Sequence, residues 1–176
     1  MFSGFEPSQK DIMNFEIRSI CEHDIEQFCH AVGSVAREKL YLAFLDSPSL
    51  ESTKDFVLTN IKESWPHLLA ISNDKVIGWC DITGSNRHAC KHLGTLGVGV
   101  INEYRGNGVG HQLIKKSLEL AEEKGLTRIE LSVREDNQRA IDLYKLFGFN
   151  IEGKHMKCIL IDGQYYNEIS MALLLD

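Results

Sequence analysis

Apolar and polar residues follow two different periods along this chain, and the period predicts the type of element. The segment 128–133 (Arg-Ile-Glu-Leu-Ser-Val) alternates with a period of two, as a strand with one buried face does. From Leu113 to Ala121 the apolar residues recur at the spacing of one helix face. The pattern therefore predicts a chain that contains both strands and helices.

The same reasoning along the whole chain predicts the order β-α-α-β-β-β-α-β-α-β-β, which periodicity alone assigns only to a mixed α/β protein. The predicted strands are 15–19, 68–72, 76–83, 92–101, 128–133, 149–161 and 165–175. The predicted helices lie around 25–32, 49–64, 110–121 and 137–147. Asn73-Asp74 and Asp162-Gly163 predict tight hairpin turns.

Several residues predict where the helices begin and end. Ser19 and Glu22 have the spacing of a capping box for the first helix, and Pro66 ends the second helical region. Asn137 predicts the cap of the last helix, and Gly148 predicts its C-terminal stop.

Length and composition predict one ordinary globular domain. The chain has 176 residues, of which 43% are apolar and 25% are charged. That length can bury a sizeable core, so we expect a tail over residues 1–14 and a single domain over 15–176.

Charge and cysteine content limit the location and the partners. The formal charge of −6 argues against nucleic-acid binding, which favours a basic face. The chain shows neither a long apolar run nor a signal-peptide pattern, so we expect no membrane span and no secretion. Five cysteines without a metal-ligand spacing are typical of free thiols in a cytoplasmic protein, and we expect no metal.

The stretch before the third helix is rich in glycine. Gly106, Gly108 and Gly110 stand where the helix begins, and the free N–H groups of a first helical turn bind anions. A Walker A loop would need Lys and Ser or Thr where His111 and Gln112 stand, and a dinucleotide fingerprint would need Gly or Ala at position 111. The stretch therefore predicts a backbone cradle for another phosphorylated ligand.

Two motifs resemble the GNAT superfamily of N-acetyltransferases. Residues 105–110 contain Arg-x-x-Gly-x-Gly, which resembles the family's acetyl-CoA pyrophosphate loop (Gln/Arg-x-x-Gly-x-Gly/Ala). Residues 137–149 contain Asn-x-x-Ala-x-x-Leu-Tyr-x-x-x-Gly-Phe, which resembles the second signature. The motifs occur in the family's order, and the resemblance covers about 15–176.

The resemblance implies a central, mixed, mostly antiparallel twisted sheet of about seven strands, flanked by about four helices. It also implies that acetyl-CoA is the co-substrate and that its pantetheine arm enters between two splayed parallel strands, here those ending at Val100 and Val133. By the resemblance, the cofactor-binding residues are Val98, Gly99, Val100, Arg105, Gly106, Asn107, Gly108, Val109, Gly110, His111, Asn137, Ala140 and Tyr144.

Two further expectations concern individual residues of this site. Tyr144 matches the family's general acid, which protonates the departing thiolate, although its spacing also suits a core tyrosine. Gly97 and Gly99 are typical of a bulge or of a close approach to the backbone.

The general base is not indicated by any motif. One family branch has a glutamate at the position of Ser132, so a direct carboxylate base is not expected there. Asp81, Glu103 and Glu130 are candidates for a base that acts through water, but each is expected to be a solvated surface acid. The amine is then expected to lose its proton through ordered water or to bind in its neutral form, so no single one of these acids is expected to be essential.

The resemblance predicts acetyl transfer to a primary amine of a small molecule, such as an amino acid, bound near the first two helices and the last hairpin. A protein N-terminal or lysine acetyltransferase and a non-catalytic CoA-binding sensor remain alternatives. A homodimer is compatible with each.

Overall fold

The structure, a computed structural model, describes residues 14–175 of the chain. Its strands are β1 (Glu16–Ser19), β2 (His67–Ser72), β3 (Lys75–Gly84), β4 (Leu93–Val100), β5 (Arg128–Arg134), β6 (Asn150–Ile161) and β7 (Gln164–Leu174). Its helices are α1 (Ile25–Ala36), α2 (Leu50–Lys62), α3 (Val109–Glu123) and α4 (Gln138–Leu146). The order of these elements confirms the prediction, and their bounds differ from the predicted bounds by a few residues.

All seven strands form one sheet in the order β1-β2-β3-β4-β5-β7-β6. Among the strands of residues 14–175, only β4 and β5 pair in parallel, and the other neighbours are antiparallel. The two predicted hairpin turns are present, with positive φ at Asn73, Asp74, Asp162 and Gly163. Turns with two such residues match the twist of antiparallel strands. The predicted fold is confirmed.

A hydrophobic core lies on each face of the sheet. On one face, α3 and α4 pack over β2 to β5 and β7 around Ile77, Leu113 and Ile129. On the other face, α1 covers Leu69 and Trp79. Because side chains alternate along a strand, β2 and β3 contribute residues to both cores.

The parallel pair separates after a few residues. β4 and β5 are paired only from Leu93 to Thr95 and from Arg128 to Glu130. Beyond these residues the strands diverge and leave a gap that is open toward the ends of both strands. This gap is the splayed pair that the resemblance predicts.

The predicted capping box before α1 is wrong. The residue that starts the helical turn is Cys21, whose backbone N–H donates to Oδ2 of Asp24 over 2.9 Å. Arg18 fixes that carboxylate with two hydrogen bonds of 2.7 Å, so an ion pair with β1 decides where the turn begins.

The predicted tail lies outside the described residues except for Asn14. Within residues 14–175, no helix has both the length and the apolar character needed to cross a membrane.

Candidate active site

The gap between β4 and β5 exposes unpaired backbone groups of β4. Ile101 donates its N–H to the carbonyl of Ile77 over 2.9 Å, so this residue turns its backbone toward β3. Backbone groups alternate in direction along a strand of an antiparallel pair. Val98 and Val100 therefore turn their backbone groups toward the gap. The Val100 carbonyl accepts from Arg105 Nε over 2.8 Å, which leaves the Val98 groups and the Val100 N–H for another extended chain.

A cradle of N–H groups lies at one end of the gap. Gly106 and Gly108 have φ values of 83° and 79°, which L residues with a Cβ rarely adopt. The first hydrogen bond of α3 runs from Gln112 N–H to the Gly108 carbonyl over 3.0 Å. The N–H groups of Val109, Gly110 and His111 therefore point out of the helix end, where the helix dipole favours an anion.

Gap and cradle belong to one cleft of about 510 Å³. Every residue predicted to bind the cofactor lines this cleft except Asn107. The Asn107 amide instead donates to the carbonyls of Tyr104 (3.2 Å) and Arg105 (3.3 Å), which holds the loop in shape. Asn137 caps α4 by accepting the N–H of Ala140 over 3.2 Å, as predicted.

Tyr144 lies at the wall of the cleft and is 7% exposed. Its ring packs against Phe149 with 5.9 Å between the centroids, so it is also part of the core. Burial, and to a smaller extent the neighbouring Cys80 thiol, raises the pKa of the phenol. The hydroxyl therefore stays protonated at neutral pH and can donate to a group in the cleft.

The Arg105 guanidinium is bound within the protein. It forms two hydrogen bonds with the Glu38 carboxylate, of 2.6 and 2.8 Å, and a third of 2.8 Å with the Val100 carbonyl. Its side chain is only 15% exposed. The pairing with Glu38 raises the pKa of Arg105. This geometry indicates that Arg105 positions the loop rather than contacting a phosphate directly.

Arg139, which the sequence reasoning missed, supplies a cation that remains available. It lines the cleft near the N-terminus of α4, and its Nη2 lies 3.8 Å from the place a Cβ on Gly106 would occupy. Within residues 14–175 it forms neither a salt bridge nor a side-chain hydrogen bond. Its position inside the second motif was the signal that could have indicated it.

The connection between α1 and α2, residues 37–49, closes one side of the cleft. Glu38 ties it to the glycine loop, and the Lys39 ammonium pairs with Asp162 at the β6–β7 turn over 2.8 Å. The Lys39 carbonyl accepts from Arg134 on β5, also over 2.8 Å. The connection thus spans from the cradle to the last hairpin, and Tyr41 and Leu42 line the cleft from it.

Comparison with known sequences identifies the family of this chain. The profile of the acetyltransferase (GNAT) family matches residues 34–149, which is more than half of the chain. The chain belongs to the GNAT family. The L-amino acid N-acetyltransferase of Escherichia coli K12 is 33% identical over 106 residues, which cover 60% of this chain and 65% of that protein. The thialysine N-epsilon-acetyltransferase of Bos taurus is 39% identical over 70 residues, which cover 39% of this chain and 41% of that protein. Both matches span less than two thirds of the relative.

Solved structures of the family share the whole fold. A GNAT acetyltransferase from Streptococcus pneumoniae superposes with a TM-score of 0.85 at 27% identity, over 92% of this chain and all (100%) of that chain. An acetyltransferase from Salmonella typhimurium, solved with acetyl-CoA, gives a TM-score of 0.87 at 16% identity over 93% of this chain and 95% of that chain. This second likeness shows the fold alone.

The structure shows no bulge at Gly97 and Gly99, but it shows the close approach that was the alternative. The β3–β4 register runs from Gly78↔Val100 to Gly84↔Gly94 without a shift. The close approach comes from side chains of β3: a Cβ on Gly99 would lie 2.2 Å from the Trp79 ring, and one on Gly97 would lie 3.3 Å from both carboxylate oxygens of Asp81. The two glycines let these side chains lie across β4.

The three acids considered as solvated groups have different environments. Glu103 is exposed, as expected. Glu130 accepts from Arg128 over 2.7 Å and lies where β4 and β5 are still paired, before the gap opens. The expectation is wrong for Asp81, which is 8% exposed, because it lies in the middle of the sheet between the buried His67 on β2 and Gly97 on β4.

Proposed function

We propose that this protein transfers an acetyl group from acetyl-CoA to a primary amine of a small molecule. The observation that carries the proposal is the gap between β4 and β5, which has unpaired backbone groups at Val98, the N–H of Val100 and an anion cradle at its end. A pantetheine arm is an extended chain with amide groups and carries a pyrophosphate, so it matches both parts. The amine acceptors in the printed names of the relatives, L-amino acids and thialysine, support the same chemistry.

In this proposal the chain supplies binding, orientation and one proton. The N–H groups at the start of α3 hold the pyrophosphate, and Arg139 adds a positive charge beside it. The Val100 N–H, which faces the gap, polarises the thioester carbonyl and stabilises the charge that develops on its oxygen. These contacts keep the thioester carbon at one place along the gap.

Tyr144 acts on the leaving group. When the amine nitrogen forms its bond to the thioester carbon, the C–S bond breaks and the electron pair stays on sulfur. The Tyr144 hydroxyl donates its proton to this thiolate, and the phenol regains a proton that the nitrogen loses as it becomes an amide. The raised pKa keeps the phenol in its donor form throughout the neutral range.

The connection 37–49 limits the size of the acceptor that can reach the gap. Because it is held at the glycine loop by Glu38 and at the last hairpin by Lys39, it covers the side of the gap from which an amine must approach. A closed approach suits a small amine better than a folded protein. The putative ribosomal protein bS18-alanine N-acetyltransferase of Bacillus subtilis, 33% identical over 103 residues, is the reason to test peptides as well.

A thiol-release assay with acetyl-CoA tests the function against L-amino acids, diamines and N-terminal peptides. Tyr144→Phe keeps the ring packing and removes the hydroxyl, so we expect kcat to fall on the order of 10²-fold or more while acetyl-CoA binding persists. Tyr104→Phe is the matched control, because Tyr104 also lines the cleft. Acetyl-CoA binding without thiol release from any acceptor would favour the sensor alternative, and wild-type turnover by Tyr144→Phe would make Tyr144 a core residue.

A further inference from the structure

Asp81 is a buried carboxylate on the side of the gap that faces the acceptor. It alternates with Cys80 and Ile82, which belong to the core under α3, so its side chain lies on the opposite face, the face of α1 and α2. The connection 37–49 crosses that same end of the sheet. An amine that enters beneath this connection therefore approaches the face on which Asp81 lies.

The missing Cβ of Gly97 brings the carboxylate close to the cleft. Both oxygens of Asp81 lie 3.3 Å from the place that Cβ would occupy, and Gly97 itself lines the cleft. Gly97 stands between Leu96 and Val98, at the point where β4 has left β5. The carboxylate thus lies over the backbone of β4 beside the gap where we place the thioester.

Asp81 also belongs to a row of residues across the sheet. On this face it stands between His67 on β2 and Gly97 on β4, and beyond the gap Ser132 stands opposite Ser170 on β7. Ser132, at the position of the glutamate in one family branch, is exposed and lines the cleft. The polar residues of this row face the acceptor side, and Asp81 is the one among them that can accept a proton as a carboxylate.

Within residues 14–175 the Asp81 carboxylate has no hydrogen-bond donor and no ion-pair partner. A buried carboxylate without partners costs stability, so selection for the fold alone would favour an apolar residue here. The carboxylate lies against Gly97, which lines the cleft, and Asp81 is 8% exposed.

We propose that Asp81 is the general base that takes a proton from the ammonium group of the acceptor. This inference rests on the acetyl-transfer function proposed above, and it replaces the expectation that no single acid takes the proton of the amine. The proton moves from the ammonium nitrogen to the Asp81 carboxylate, the freed electron pair attacks the thioester carbon, and Asp81 then releases the proton to solvent. Tyr144 serves the sulfur at the other face of the sheet, so acid and base act from opposite sides of the gap.

The environment of Asp81 suits this role at neutral pH. Burial raises the pKa of its carboxyl to about 7, near the value that serves a general base best. His67, the titratable group opposite it on β2, has a pKa lowered by burial to about 4 and stays neutral. β4 carries no titratable residue, and α1 turns Glu26 and His30 outward. The Cys29 thiol on α1 is buried and donates a hydrogen bond to the Pro48 carbonyl, and the Cys80 side chain lies on the other face of the sheet.

The pH dependence of the wild-type enzyme tests the proposal without any substitution. Two accepted amines with different pKa values are compared, and kcat/KM is measured from pH 5.5 to about 9.5. If Asp81 is the base, the rising limb stays near the same pH for both amines, because it reports the carboxylate. A rising limb that moves with the pKa of the amine overturns the proposal, because the amine then loses its proton before it meets the enzyme.

Asp81→Asn removes the base with almost no change in shape. We expect kcat/KM at pH 8 to fall on the order of 10²-fold or more, and the remaining activity to follow the pKa of the amine. Glu103→Gln and Glu130→Gln are the matched controls and should keep the wild-type profile. Acetyl-CoA should still raise the unfolding temperature of Asp81→Asn, which shows that the fold and the cofactor site persist.

The outcomes separate this inference from the proposed function. If the wild-type enzyme releases no thiol with any amine, the proposed function fails. If it does release thiol and Asp81→Asn keeps the rate and the profile, only the assignment of the base fails. If Asp81→Asn does not fold, the comparison of two amines on the wild-type enzyme decides alone.

Discussion

Replacing Gly108 by alanine tests whether the glycine loop binds phosphate. Gly108 has a φ of 79°, and no protein atom lies within 4 Å of the place its Cβ would occupy. Since Gly108 lines the cleft, the added methyl group would stand in the space where we place the pyrophosphate. The substitution also strains the backbone, so a loss of stability by itself would prove nothing.

Gly125 provides the matched control for that strain. It follows α3 with a φ of 84° and likewise has no atom within 4 Å of its Cβ position. An alanine in this backbone conformation costs about 1–2 kcal/mol, so both variants should unfold at a temperature lower than the wild type by about 2–8 °C. Only at Gly108 does the methyl group meet the ligand.

The ligand effect is larger than the strain. At 100 times its Kd, acetyl-CoA stabilises the wild-type protein by about 2.7 kcal/mol, or about 5–11 °C for a chain of this length. If Gly108→Ala weakens binding about 100-fold, the same concentration stabilises that variant by only about 0.4 kcal/mol. Gly125→Ala should keep the full shift.

Thermal unfolding with and without acetyl-CoA measures both effects at once. Gly110→Ala is a second control: its Cβ would meet Leu143 and Val100 at an ordinary 3.7 Å, and the GNAT signature accepts Ala there. It should keep the ligand shift. Equal ligand shifts in Gly108→Ala and Gly125→Ala would refute the assignment of the pyrophosphate to this loop.

Three further predictions concern charges around the site. A double-mutant cycle with Glu38→Gln and Arg105→Gln should give a coupling of about 1 kcal/mol or more in the free energy of unfolding, because the pair is largely buried; additive effects would contradict its role in holding the loop. Arg139→Gln should raise the Kd of acetyl-CoA, measured by titration, and the loss should shrink at high salt; an unchanged Kd would remove Arg139 from the cofactor site. Burial raises the pKa of Asp81 from 3.8 to about 7 because the folded protein favours the protonated carboxyl. The contribution of this carboxyl to the free energy of unfolding is therefore fully present below pH 3.8 and is lost as the pH rises to 7. Wild type should therefore lose on the order of 4 kcal/mol over this range relative to Asp81→Asn, and parallel curves from denaturant titrations at each pH would contradict the burial of this charge.

The order of elements and much of the candidate site could be predicted from the sequence, because they depend on neighbours in the chain. The periods of two and of 3.6 residues identify strands and helices, and Asn73-Asp74 and Asp162-Gly163 identify the hairpins. The glycines before α3 indicate a helix start with free N–H groups, whatever the rest of the fold is. Comparable local rules placed Asn137 at the start of α4.

Only the tertiary structure decided which charged groups are free and which are buried. Arg105 belongs to the phosphate motif, yet Glu38, 67 residues away in the chain, binds its guanidinium, and Arg139 is left as the available cation. Asp81 stands among Trp79, Cys80 and Ile82 in β3, and these apolar neighbours are compatible with a buried acid. The alternation of side chains along the strand does not by itself show whether the Asp81 side chain is buried.

The physical reason is that charge pairing and loss of solvent are properties of the whole fold. A side chain's pKa and its hydrogen bonds depend on which distant segments pack against it, and the chain sequence does not state these contacts. Backbone conformation at a glycine or in an alternating strand depends mainly on residues a few positions away. The sequence by itself therefore determined the elements and the cradle, whereas the packing of β3, β4 and the connection 37–49 decided which acid faces the acceptor.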